Sequence, residues 1–175
     1  GKGGTTSAPY SSGEENTALG WEALSAFTTG DTNVAIGARA LKQSTTATNN
    51  TAMGYRAGYN TTTGGVNVFI GTDAGYQLTT DSACTLVGYN AGAYLDAAVG
   101  GRYNAFFGRN AGYRGGPGIH LTYIGDEAGV YATGSYNTFV GSKAGKGGTT
   151  SAPFSSGLYN TALGYQALTD IKTGN

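Results

Sequence analysis

Apolar residues recur singly along this chain, each followed at once by glycine and, three residues beyond the glycine, by alanine. The apolar set is Leu19, Ile36, Met53, Ile70, Val87, Phe107, Ile124, Val140 and Leu163. The glycines are Gly20, Gly37, Gly54, Gly71, Gly88, Gly108, Gly125, Gly141 and Gly164, spaced 17, 17, 17, 17, 20, 17, 16 and 23 residues apart. The alanines run from Ala23 to Ala167 without an exception. Polar positions keep the same beat. Four residues before the glycine stands Asn16, Asn33, Asn50, Asn67, Asn104, Asn137 or Asn160, with Cys84 and Leu121 in the other two units. A short period held this tightly means a stack of similar coils rather than a fold built around one private site.

The unit is too short and glycine-rich for a pair of helices. β-branched Thr or Val mostly stands three residues before the glycine, which favours strand. The pattern predicts two short strands per coil, one ending at the glycine and one carrying the alanine, with the glycine as the bend between them. Stacked at about 4.8 Å, nine coils make a rod of roughly 43 Å. The expected fold is all-β, a parallel β-solenoid or β-roll of about nine coils, forming one repeat domain over residues 1–175.

Volume compensation points to a shared core. Ala18, Ala35 and Ala162, two before the glycine, go with Leu24, Leu41 and Leu168, four after it. Phe69, Phe106, Tyr123 and Phe139 go instead with Gly75, Gly112, Gly129 and Gly145. Large and small exchange, as touching positions in a close-packed interior require. Ala52 with Gly58 departs from the rule, and Met53 or Tyr59 is the expected filler. Neighbouring strand residues such as Phe69 and Ile70 point to opposite faces, so both faces are apolar. One apolar row would lie exposed along a lone solenoid, so lateral association is expected, with a trimer as the expected state.

A longer repeat overlies the short one. GKGGTTSAP opens the chain at Gly1 and returns at Gly145, 144 residues later, followed again by SSG and NTALG. The chain is therefore expected to be a segment of a longer tandem array.

TNVAIG at Thr32–Gly37 and NTALGYQAL from Asn160 resemble the head repeats of trimeric autotransporter adhesins and the repeats of phage tail fibres and bacterial surface fibres. The resemblance implies a left-handed parallel β-roll, trimeric association, extracellular display, and adhesion or fibre building. It implies no catalytic residues.

Composition narrows the partners. Ten basic and ten acidic residues cancel, and charged residues make up only 11% of the chain. That is less than half the usual share, and it argues against a nucleic-acid footprint or electrostatic binding to anionic lipid. No apolar run approaches the ~20 residues of a membrane span. Cys84 and His120, the single cysteine and histidine, have no metal-ligand spacing, and no cofactor or metal is expected. GSKAGKGGT from Gly141 lacks the glycine spacing and the hydroxyl residue of a phosphate loop. A polysaccharide depolymerase needs two acids on one cleft, whereas Asp73, Asp81, Asp96, Asp126 and Glu127 are scattered over several coils.

The expected function is a non-enzymatic structural repeat of an extracellular fibre. A dedicated adhesin head binding host matrix or glycan is the first alternative, and a β-helical depolymerase segment the second. Coils lengthen at 93–101 and 145–157, and bulges from a regular rod are where recognition can vary. Tyr10, Tyr113, Arg114 and Phe154 are the candidate contacts there. The Asn row is expected to be a hydrogen-bonded ladder rather than a glycan site.

Overall fold

The three residues before each coil glycine alternate a β-favouring, a core-filling and an apolar side chain, and in every coil they form a strand. The computed structural model describes residues 12–95, 103–147 and 156–169. Its strands are β1 (Thr17–Leu19), β2 (Val34–Ile36), β3 (Thr51–Met53), β4 (Val68–Ile70), β5 (Thr85–Val87), β6 (Ala105–Phe107), β7 (Thr122–Ile124), β8 (Thr138–Val140) and β9 (Thr161–Leu163). They make one nine-stranded parallel sheet in chain order, and no helix occurs among the described residues. Each residue pairs with its own counterpart one coil later, as in Ala52↔Phe69 and Phe106↔Tyr123. The protein is a β-solenoid.

Among the described residues one strand per coil forms, not two. The segment after the glycine curls because its second and fourth residues both adopt left-handed angles, as at Arg39 (φ 61°) and Leu41 (φ 47°). An alternation of right- and left-handed residues cannot be extended backbone. The segment still ladders: the Arg39 N–H donates to the Trp21 carbonyl and the Leu41 N–H to the Ala57 carbonyl. The alanine N–H turns back on its own coil, Ala40 donating to the Gly37 carbonyl.

The coil glycine is required by close approach. A Cβ on Gly54 would stand 2.6 Å from the Gly71 carbonyl oxygen, and its φ of +141° is closed to other residues. The glycine four places later gives room to a ring. A Cβ on Gly75 would lie 2.5 Å from Phe69, and one on Gly112 2.7 Å from the Phe106 Cδ2. The compensation inferred from sequence is thus direct contact. The exception at Ala52 and Gly58 is filled from the neighbouring coils, not by Met53 or Tyr59. Phe69 and Leu41 lie 2.5 and 2.8 Å from where a Gly58 Cβ would be.

The core is a set of columns running up the stack. The middle strand residue is buried in β2 to β9, and Phe106, Tyr123 and Phe139 stack face to face at 4.8 and 5.0 Å. The alanine row is buried beside them from Ala23 to Ala144.

Candidate interaction surfaces

From Asn33 to Asn137 the Asn row lies inside the fold, and Asn16 and Asn160 at its two ends are half-buried. Asn33, Asn50, Asn67, Asn104 and Asn137 are at most 1% exposed. The Asn33 Oδ1 accepts the Asn50 backbone N–H at 3.0 Å, and the Asn50 Nδ2 donates to the Gly64 carbonyl at 2.9 Å. The same bonds recur from coil to coil. Where Cys84 replaces Asn, its N–H still donates to the Asn67 Oδ1 at 2.9 Å, but the side chain offers no amide in return. Leu121 likewise donates its N–H to the Asn104 Oδ1.

Outside the strand lies the apolar row just before each glycine. Leu19, Met53, Ile70, Phe107, Ile124 and Leu163 are exposed, and Ile36, Val87 and Val140 half-exposed. Trp21, Tyr55, Tyr89 and Tyr165, on the far side of the glycine, are exposed too and broaden the stripe. The strand is therefore buried on its inner face and open on its outer one within a single chain.

The second residue after the glycine makes a polar column on another face. Its charges pair between adjacent coils: Glu22 with Arg39 at 3.0 Å, Arg56 with Asp73 at 2.6 Å. One place nearer the glycine, at the offset of Trp21 and Tyr55, Arg109 holds Asp126 at 2.7 Å, and the column's Glu127 is held at 2.7 Å by Lys146, five residues after Gly141. A hydrogen bond from Lys42 lowers the Glu22 carboxyl below its usual range, and one from Lys146 does the same for Glu127. Carboxylates held ionised by neighbouring cations are not poised as general acids. Nine of the chain's twenty charged residues are held in these local pairs.

Of the four candidate contacts, Tyr10 and Phe154 lie outside the described residues. Tyr113 and Arg114 are brought together. The Arg114 guanidinium sits 5.7 Å from the Tyr113 ring, which meets Tyr94 edge-on at 5.0 Å. They close a tyrosine series that begins at Tyr59 and passes through Tyr76.

Two features escaped sequence reasoning. The residue just before the Asn row is left-handed in all nine coils, with φ between 50° and 61°. It is never glycine and only once asparagine, at Asn49. For ordinary residues such angles cost about 1–2 kcal/mol each. In the first three coils this row and its predecessor line a cleft of about 390 Å³ formed by Glu14, Glu15, Asp31, Thr32, Thr48 and Asn49. The cleft gathers three carboxylates, and the Asp31 Oδ1 accepts the Glu14 N–H at 2.7 Å. In the last four coils the row is aromatic: Tyr103, His120, Tyr136 and Tyr159 stack at 5.0, 5.3 and 5.0 Å with planes within 10°. The signal was present in the fixed offset from the glycine, but only the fold shows that this offset faces solvent.

Among the described residues no group of three or more His, Cys, Asp or Glu is placed to hold a metal ion, and Cys84 is buried with its thiol 3.6 Å from the Ser82 carbonyl oxygen. No protein-family model, curated protein or solved structure matches this chain.

Proposed function

We propose that this chain is a non-enzymatic structural repeat of an extracellular fibre, in which copies associate side by side along the strand-end row. One observation carries the reading: an apolar row with no charged member runs the length of all nine strands and faces outward. At the usual strand spacing its eight steps cover about 38 Å, and at about 10 Å wide it presents about 400 Å². That is the size of the largest apolar patch on an ordinary monomer, which is often functional.

A second copy is the partner that fits. The row is uniform and uncharged, so it offers no electrostatic address to a foreign surface. Its repeat of about 4.8 Å is matched by another stack of the same coils. Burying about 400 Å² on each of two copies removes about 800 Å² in all, about 20 kcal/mol gross against an association cost of about 4–15 kcal/mol. That area is below the roughly 1,200 Å² of a stable interface, so one block is a marginal associator, and tandem blocks add contact without adding a second association cost. The low share of charge and the Thr, Asn, Ser and Gly content suit surface display. A trimer is the state the resemblance favours.

Electron microscopy and mass measurement of a protein of two tandem blocks test the reading. Rods with several chains per cross-section support it, and Ile124→Lys, on the exposed row, should dissolve them while leaving the coil spectrum intact. Compact monomers at all concentrations would overturn it.

A further inference from the structure

The left-handed row before the asparagines combines backbone strain, exposure and a change of chemistry along the rod. A fold that needed only its backbone angle would place glycine or asparagine there, as six of nine coils place glycine at the left-handed position four residues after the coil glycine. Side chains are instead kept on this row in spite of the strain. They vary while the frame around them does not. Between the two copies of the long repeat, Glu14–Glu15 becomes Leu158–Tyr159, whereas Asn-Thr-Ala-Leu-Gly is unchanged. This is the pattern of a surface whose chemistry is chosen separately from the fold.

We propose that the Tyr103–His120–Tyr136–Tyr159 column is a binding platform for a neutral, extended polysaccharide laid parallel to the solenoid axis. Tyr103, Tyr136 and Tyr159 are 56%, 43% and 66% exposed, and His120 is exposed between the first two. The near-parallel rings, with centroids 5.0 to 5.3 Å apart, make one continuous stack whose outer edges are exposed. Those edges form an apolar ridge for the C–H groups of a pyranose chain, and each ring keeps a polar tip for its hydroxyls. The step of the column is close to the rise per sugar of an extended β-linked chain, so successive sugars meet successive rings. Ile119, Ser135 and Leu158, which precede the last three rings, carry no charge, and this favours a neutral glycan over a sulfated or uronic one along that stretch; Arg102, before Tyr103, is the one charged residue at this offset in the four coils. The site stands apart from the apolar row and does not depend on self-association.

The test is affinity electrophoresis through gels containing hydroxyethyl cellulose, with calorimetry against cellohexaose and chitohexaose. It compares the native chain, Tyr136→Asn and Val66→Asn. Asparagine suits the left-handed angle, so both variants should melt at or above the native temperature. Val66 lies on the same row outside the column, so Val66→Asn should bind as the native chain does. Tyr136→Asn should weaken binding by about tenfold or more. Equal binding by Tyr136→Asn overturns the proposal. So does a native chain that binds none of these glycans, whether it binds nothing, an acidic polysaccharide or a protein instead. Sizing the same samples by mass keeps loss of binding separate from loss of assembly.

Discussion

Exchanging Phe106 and Gly112 for alanine and leucine should rescue most of what either change alone destroys. Phe106 is fully buried and stacked on Tyr123, and its ring occupies the space a Gly112 side chain would need. Phe106→Ala leaves a cavity and should cost about 3–5 kcal/mol. Gly112→Leu drives a side chain into the ring for about 1–3 kcal/mol, and its φ of +59° adds about 1–2 kcal/mol. The double variant recreates the Ala35–Leu41 pairing, in which Leu41 is fully buried at φ 47°. It retains only the left-handed strain and the lost ring stack, about 2–3 kcal/mol together. The coupling between the two positions should therefore be about 3 kcal/mol or more in the direction of rescue. Urea titration followed by circular dichroism, at concentrations where the chain is monomeric, measures the cycle. Hydrogen exchange at the Gly112 N–H, which donates to the Ala128 carbonyl at 2.9 Å, gives a local readout. Effects that add within about 0.5 kcal/mol would refute direct contact as the origin of the size exchange.

Three further outcomes follow from the columns. Asn50→Ala removes the acceptor of the Asn67 N–H and the donor to the Gly64 carbonyl, and should destabilise the chain by about 2–4 kcal/mol in denaturant titration; an unchanged midpoint would mean the ladder is not structural. The Tyr123 hydroxyl is buried with only the Asn137 side chain beside it and no well-formed hydrogen bond, and burial pushes its phenol far above the usual range. Tyr123→Phe, matching its stacked neighbours, should be neutral or stabilising by about 1 kcal/mol, checked by melting temperature. Glu127 has its folded pKa lowered by Lys146, so the pair contributes above the unfolded glutamate value of about 4.3 and fades as pH falls through the lower folded value. The small gap in melting temperature between the native chain and Glu127→Gln should hold from pH 8 to 6 and close in acid; a gap that widens in acid would reverse the sign argument.

The period, the strand before each glycine and the pairing of Phe69 with Gly75 were all legible in the residues, because each is a constraint repeated once per coil. The second strand was misread because alanine and leucine after the glycine say nothing of left-handed angles. Leu24 and Leu41 hold such angles against their own preference, each fully buried and donating its N–H to the next coil, and Leu168 keeps the angle in the last described coil, where it is exposed. Gly58 was misread because compensation was sought within one coil, whereas Phe69 reaches it from the next. Glu14, Glu15 and Asp31, from the first two coils, share one cleft, which their positions in the sequence did not show, and Glu127 is paired with Lys146 a coil away.

By itself the sequence determined that the chain stacks coils, since a fixed offset of apolar, glycine and alanine residues can bury its core only against its own next copy. It also determined which rows are large or small. Which row faces water was decided by the tertiary structure alone, because a left-handed residue turns its side chain in a way no two-residue alternation foretells. The inward asparagines, the outward apolar stripe and the exposed Tyr103–Tyr159 column are all consequences of those angles.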